Sequence, residues 1–283
     1  MHTNNKSLIV GVNSFLGASL VNLLCDKSKV IGVYNTNSNN LNNEIENIRI
    51  SEISNLIDDF ETVYFISSYI PSGNEINHSE LFNVNISLLI KCLNIFKRAR
   101  FILASSVSVY GNNTLNVRED SSSLNVNAYG LSKLWAEQII SKHHSFAIMR
   151  ISSMYGFGMK MSTFLPLIIK NAIKNNEIYL LGDGSRLQNY IHVDDVASSF
   201  VAAGKVSING VFLSVNEFSI SNIDIVEIIK EYLPSVVINF KDIDVSQSSK
   251  YDANQTYNSL NWKNKIDLKL GIKKLIEWIK KEY

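Results

Sequence analysis

Hydrophobic and polar positions follow two alternating rhythms along the first half of the chain. Short runs of apolar, often β-branched residues recur at 7–12 (SLIVGV), 29–35 (KVIGVYN), 62–68 (TVYFISS), 100–106 (RFILASS) and 146–153 (FAIMRISS). Such runs predict strands buried on both faces. Between them the period lengthens to that of a helix. In FLGASLVNLLCDK the residues Leu16, Leu20, Leu23 and Leu24 share one side, and NVNISLLIKCLNIFKRA and NAYGLSKLWAEQIISKHH are two further helices. Repeated strand–helix alternation predicts an α/β fold built on a doubly wound parallel sheet covered on both faces.

Beyond about Tyr155 the rhythm changes. TFLPLIIKNAIKNN and SNIDIVEIIKEYL read as helices, EIYLLGD and VVINFKD as scattered short strands, and DLKLGIKKLIEWIKKEY as an amphipathic helix with Leu270, Leu275, Ile276 and Ile279 on its apolar side. The expected division is a dinucleotide-binding domain over residues 1–155 and a smaller α/β lobe, mainly substrate-binding, over 156–283. A crossover near 188–204 returns to the large domain.

Composition narrows the class. A chain of 283 residues, 46% hydrophobic and 19% charged, can bury a large core, and a net charge of +1 offers no broad field for nucleic acid or an anionic membrane. No apolar run reaches membrane-spanning length and no secretory leader is visible, so a cytoplasmic location is expected. Cys25 and Cys92 sit in apolar helical segments and read as buried thiols. His143-His144 lacks a second ligand cluster and reads as a solvated helix end; no metal site is expected.

The candidate chemistry centres on Tyr129 and Lys133 in NAYGLSKLWAEQI, four residues apart and therefore on one helix face. A free tyrosine titrates near 10. A neighbouring ammonium stabilises the phenolate, so the spacing predicts an acid/base pair shifted toward neutrality. FILASSVSVYG places serines at the end of a predicted strand, where ligands of parallel sheets bind, and one such hydroxyl can hold a reacting oxygen. Upstream, Gly11 and Gly17 in GVNSFLG flank a strand-to-helix turn with Ser14 at the intervening glycine position.

These segments together resemble the extended short-chain dehydrogenase/reductase family, the branch of nucleotide-sugar epimerases, dehydratases and reductases. Gly11, Ser14 and Gly17 match its glycine motif, Asn85 in LFNVNISLL its helix asparagine, SSVSVYG its catalytic Ser/Thr segment and YGLSK its Y-x-x-x-K motif. MRISSMYG, GDGSRLQNYIHVDDVA and the tail LNWKNKIDLKLGIKKLIEW continue the likeness along nearly the whole chain. The resemblance implies a Rossmann-type fold with Tyr129 as general acid/base, Lys133 as its electrostatic partner and ribose ligand, and Ser106 on the reacting oxygen. Ser105 is then a strand-end residue and Ser108 a loop hydroxyl. It implies a cofactor site of Gly11, Ser14, Phe15, Leu16, Gly17, Asn35, Glu52, Ile53, Ser67 and Asn85 with Tyr129 and Lys133. Substrate contacts fall to Ser106, Ser153, Arg186, Gln188 and Lys250. Ser153 and Gln188 depart from the usual asparagine and arginine. A homodimer formed through a four-helix bundle is also implied, with Leu89, Leu93, Trp135 and Ile139 supplying surplus apolar surface.

The second-strand tip VYNTNSNN has no carboxylate before Glu44 and no arginine before Arg49; Asn35 and Thr36 are neutral. This tilts the cofactor reading to NADP, with NAD as the alternative. Val107 and Ser108 follow Ser106 where family dehydratases carry an Asp-Glu pair, which argues against dehydration. A short chain and small lobe favour a 4-keto-sugar reductase. A 4-epimerase with retained NAD is the alternative, and a non-catalytic NAD(P)-binding module a third reading.

Overall fold

The computed structural model describes residues 6–35, 37–39, 41–71 and 75–282; Thr36 lies outside them. The first half comprises β1 (Lys6–Val10), α1 (Phe15–Leu24), β2 (Lys29–Tyr34), β3 (Glu46–Arg49), β4 (Thr62–Phe65), α2 (His78–Phe82), α3 (Leu88–Ile95), β5 (Arg100–Ser106), α4 (Ala128–Ile140), β6 (Phe146–Ile151) and β7 (Ser153–Tyr155). The second comprises α5 (Phe164–Asn175), β8 (Glu177–Leu181), β9 (Leu187–Gln188), β10 (Tyr190–His192), α6 (Val193–Lys205), β11 (Gly210–Ser214), β12 (Ile220–Ser221), α7 (Asn222–Tyr232), β13 (Val237–Lys241), α8 (Asn254–Leu260) and α9 (Leu268–Glu282).

Seven strands form one sheet in the order β11-β6-β5-β4-β1-β2-β3, and every pairing in it is parallel. This is a Rossmann-type doubly wound sheet with a smaller α/β lobe. Period-two alternation decides which face each residue joins. Ile9, Tyr64, Ile102 and Met149 point into the layer closed by Leu16, Leu20, Val196 and Phe200 of α1 and α6. Leu8, Val10, Phe65 and Leu103 point into the opposite layer with Leu89 and Cys92 of α3 and Ala136 and Ile140 of α4. A third core, with Tyr155, Ile169, Ile178, Val226, Leu275 and Ile279, holds the smaller lobe.

Several local expectations change. β3 (ENIR) has no apolar run, yet it pairs with β2 at the sheet edge, where half-exposed polar residues are tolerated. The return to the large sheet continues past residue 204 to β11. Leu270 is 48% exposed; the buried side of α9 begins at Gly271 and Ile272. His143 is no solvated helix end: its Nε2 lies 2.8 Å from Ala99 O and its ring meets Phe101 edge-on.

His192 supplies a pH-dependent contribution. Its Nδ1 caps α6 by accepting from Asp194 N at 3.2 Å. Burial holds its pKa below the ordinary imidazole value, against the opposing pull of Asp194 and Asp195. The unfolded chain therefore takes up this proton at higher pH than the folded one. Its contribution is complete above about pH 6.5 and is lost as pH falls through the folded-state pKa. We predict that Tm falls less steeply between neutrality and mild acid in His192→Asn, which keeps a cap acceptor but no titrating ring. Parallel Tm–pH curves would contradict this role.

Candidate active site

The glycine turn lies between β1 and α1. Gly11 has φ +101°, and a Cβ there would sit 2.8 Å from Ser67 N, so only glycine lets β1 pass this close to the end of β4. A Cβ at Gly17 would lie 2.3 Å from Val12 O, which fixes how closely α1 sits on the turn. Ser14 needs no such freedom: its φ is −79° and its ψ 166°. Its Oγ accepts from Gly17 N at 3.1 Å and caps the helix. The missing glycine is thus replaced by an N-cap, and the helix start still presents amides toward an anion. We predict that Ser14→Ala lowers stability by about 1 kcal/mol in denaturant unfolding, while Ser14→Gly costs only a few tenths and preserves cofactor binding. Equal losses in the two variants would remove the capping argument.

The cradle therefore fits a dinucleotide pyrophosphate. Phe15 is half-buried and Leu16 buried at the helix start, Leu16 in the core beneath it. Asn35 is exposed at the end of β2 and Ser67 half-buried at the end of β4. Glu52 and Ile53 each have a structural role of their own. Glu52 Oε2 accepts from Arg49 N at 2.9 Å to cap a 3₁₀ turn, and the Ile53 side chain is wholly inside the core. Asn85 is also fully engaged. Its Oδ1 accepts from Tyr69 N at 2.8 Å, and its Nδ2 donates to Tyr69 O at 3.1 Å and Ser132 Oγ at 3.0 Å. It stands in a π turn (Asn83–Ser87) between α2 and α3 and fixes the chain just beyond β4.

Tyr129 and Lys133 stand one turn apart on α4, whose start is capped by Asn127 Oδ1 accepting from Gly130 N at 2.8 Å. The Tyr129 phenol faces the hydroxyls of Ser68 and Ser106. Lys133 is buried, with Nζ 5.8 Å from the Tyr129 ring centroid, and it donates to Ala104 O at 3.0 Å. Ser106 ends β5, so the three residues meet beyond the carboxyl edge of the sheet, where the glycine turn also opens.

The electrostatics differ from the simple pair expected. Burial raises the Tyr129 pKa above its ordinary value, while the Ser68 and Ser106 hydroxyls pull it down. Lys133 is itself lowered to about 8 by burial, opposed by Glu137. In the protein alone the phenol therefore keeps its proton at neutral pH and is configured as an acid; Lys133 does not by itself make it a base.

Glu137 and Arg150 are site residues that the sequence reading missed. Glu137 takes Arg150 in a two-pronged ion pair (Nε–Oε1 3.0 Å, Nη2–Oε2 2.7 Å) and accepts from Ser105 Oγ at 2.5 Å. Arg150 stacks over Tyr110 at 4.7 Å and donates to Glu119 O at 3.0 Å. Ser105 is thus tied to α4 through Glu137. Ser108 is no idle loop hydroxyl: its N donates to Ser106 Oγ at 3.1 Å, and its own Oγ receives the Ser106 proton at 3.1 Å. The available signal was Glu137 itself, a carboxylate one turn after Lys133 on the buried side of α4.

The expected substrate residues lie on the smaller lobe and its junction. Ser153 is exposed at the start of β7. Arg186 Nη1 is 3.5 Å from Asp244 Oδ2, beside a groove also lined by Ser246 and Ser248. Gln188 Nε2 donates to Asn222 Oδ1 at 2.6 Å. Lys250 is exposed, its backbone bonded to Thr114 O at 2.7 Å and Val117 N at 3.0 Å.

A glycine cradle at the first turn of a parallel sheet, with Ser106, Tyr129 and Lys133 at the same edge, defines a nucleotide-cofactor enzyme of the short-chain dehydrogenase/reductase type. The sequence profile described as the NAD dependent epimerase/dehydratase family matches residues 7–211, and the chain belongs to that family. A putative UDP-glucose 4-epimerase of Methanocaldococcus jannaschii is 26% identical, over 96% of this chain and 98% of its own length. A dTDP-D-glucose 4,6-dehydratase of Dictyostelium discoideum is 28% identical over 78% of this chain, a match spanning only 60% of that relative. Among solved structures, the UDP-glucuronic acid 4-epimerase of Bacillus cereus in complex with NAD has the same fold at a TM-score of 0.86 and 23% identity, covering 98% of this chain and 99% of that one.

Proposed function

We propose that the protein is a nucleotide-sugar 4-epimerase that keeps NAD bound through turnover. The observation that carries this reading is the Tyr129 phenol facing Ser106 at the sheet edge, in a segment where Val107 and Ser108 stand in place of carboxylates. Removing water from a sugar calls for a further acid/base pair, which that segment does not supply. Chain length, which favoured a reductase, does not separate the two, because the putative UDP-glucose 4-epimerase and the UDP-glucuronic acid 4-epimerase are each matched over nearly their whole length.

In this reading Tyr129 exchanges a proton with the C4 oxygen of the sugar, and Ser106 holds that oxygen by turning its proton from Ser108 Oγ to it. NAD, when bound, would supply the reversible hydride chemistry at C4. Gly11, Ser14, Gly17 and the start of α1 would hold its pyrophosphate, and Lys133, now on Ala104 O, would reach its nicotinamide ribose. The keto-sugar rotates between the two transfers. Arg186 is already paired with Asp244, so exposed Lys250 is the readier cation for the substrate diphosphate.

A reductase using NADPH is the second reading, favoured by one observation. The β2–β3 register sets Arg49 beside Tyr34 at the tip of β2, with Glu52 held on the Arg49 backbone. An arginine there suits a 2′-phosphate. Two assays separate the readings. The epimerase converts a UDP-sugar with no added reductant and releases NAD on denaturation; the reductase consumes added NADPH with a 4-keto-sugar and gains two mass units.

We further propose a homodimer through α2, α3 and α4. Leu89 is buried in the sheet core, so the apolar surface left for a partner is Phe82, Ile90, Leu131 and Trp135, with Phe82 and Trp135 already in ring contact at 5.5 Å. A monomer in sedimentation would exclude this pairing.

A further inference from the structure

Ser68 stands three residues beyond Phe65, which pairs with Leu103 in the parallel β4–β5 register. Beyond Phe65 the chain turns toward β1, with Ile66 N and Ser67 N both donating to Val10 O, and this brings Ser68 to the same sheet edge as Ser106. The next residue is clamped. Asn85 holds both backbone groups of Tyr69 and donates to Ser132 Oγ, and that hydroxyl donates to Tyr129 O at 2.7 Å. An unbroken chain of hydrogen bonds thus fixes the backbone beside Ser68 against the first turn of α4.

The Ser68 hydroxyl is closed off from solvent and makes no hydrogen bond of good geometry among the described residues, although it lies near enough to the Tyr129 phenol to lower its pKa. A buried hydroxyl kept without a partner is costly, so its position calls for an account. Neighbouring serines behave otherwise: Ser105 bonds Glu137, and Ser132 bonds Tyr129 O. Ser106 directs its proton to Ser108 Oγ and accepts from Ser108 N. Of the two hydroxyls facing Tyr129, only that of Ser68 has an uncommitted donor.

We propose that Ser68 is a positioning residue whose hydroxyl donates to the Tyr129 oxygen once the phenol has given up its proton, leaving Ser106 for the oxygen of the substrate. The inference rests on the reading of Tyr129 as the acid/base. It divides labour between the two serines. Ser106 belongs to the substrate step, and Ser68 governs how readily Tyr129 exists as a phenolate. The direction agrees with the downward pull that Ser68 exerts on Tyr129 against burial.

The test is a phenolate absorbance titration of the whole protein, alone and with saturating NAD. The matching curve of Tyr129→Phe is subtracted to isolate this tyrosine, and Tm is recorded for each variant. Ser68→Ala should move the Tyr129 ionisation upward by about one pH unit, since a donor to the charged form is lost. Ser68→Thr, which keeps a hydroxyl, should restore it. A Tyr129 signal at the same pH in Ser68→Ala as in the parent, or absent from both, overturns the proposal. No sugar enters this measurement, so its failure is distinct from failure of the epimerase reading, which shows as retained turnover in Tyr129→Phe.

Discussion

Tyr129→Phe lowers turnover of a nucleotide sugar by about 10²- to 10⁴-fold, the span expected for loss of a positioned general acid/base. Cofactor binding stays nearly unchanged. The ring and its packing are kept, and in the free protein Lys133 is held by Ala104 O at 3.0 Å rather than by the phenol, so its turn toward the ribose does not depend on the lost hydroxyl. Only the group that faces Ser106 disappears. Steady-state kinetics on one side and titration with NAD on the other separate the effects. Unchanged turnover would show that the Tyr129 phenol does no chemistry, and no turnover in parent and variant alike, with NAD still bound, would assign the chain to a binding role.

Glu137→Ala is the second large effect. Glu137 is 3% exposed and Arg150 8%, and the carboxylate satisfies two guanidinium N–H groups and the Ser105 hydroxyl at once. Removing one partner of a buried pair leaves the other charge unpaired, at about 3–5 kcal/mol. For a chain of this size that lowers Tm by roughly 10 °C. The loss comes chiefly from the stranded Arg150, so a double variant with Met at 150 should recover part of it. A second consequence concerns Lys133, whose pKa of about 8 is sustained by Glu137 against burial. Without that carboxylate it falls further, and the lysine loses its charge at a lower pH. Turnover in Glu137→Gln should therefore depend on pH differently from the parent. A stability loss within about 0.5 kcal/mol, the range of surface changes, would show that the network contributes little.

Much of this site was legible because its parts are local. Tyr129 and Lys133 are four residues apart on one helix, and Ser106 ends an apolar run that can only be a strand. Ser14 was legible as an N-cap for the same reason, since a helix start is written in adjacent residues. Contacts that depend on register were not. Arg49 is fifteen residues from Tyr34 in sequence and joins it only because the polar segment ENIR forms an edge strand. Ser68 resembles any serine after a strand until the Asn85 clamp is seen. The expectation that Lys133 would draw Tyr129 toward neutrality left out desolvation, about which spacing carries no information: both groups are buried, and burial shifts each of them. Of the residues expected as surplus apolar surface on α3 and α4, Leu89, Leu93 and Ile139 pack on the sheet core and Trp135 faces outward.

The most direct test of the central claim is a UDP-sugar labelled with deuterium at C4, incubated with the protein in unlabelled water without added cofactor. Retained NAD acting with Tyr129 predicts the C4 epimer with its deuterium still at C4, because the same hydride leaves and returns within one site. No epimer, or an epimer whose C4 deuterium has exchanged for solvent hydrogen, would contradict it.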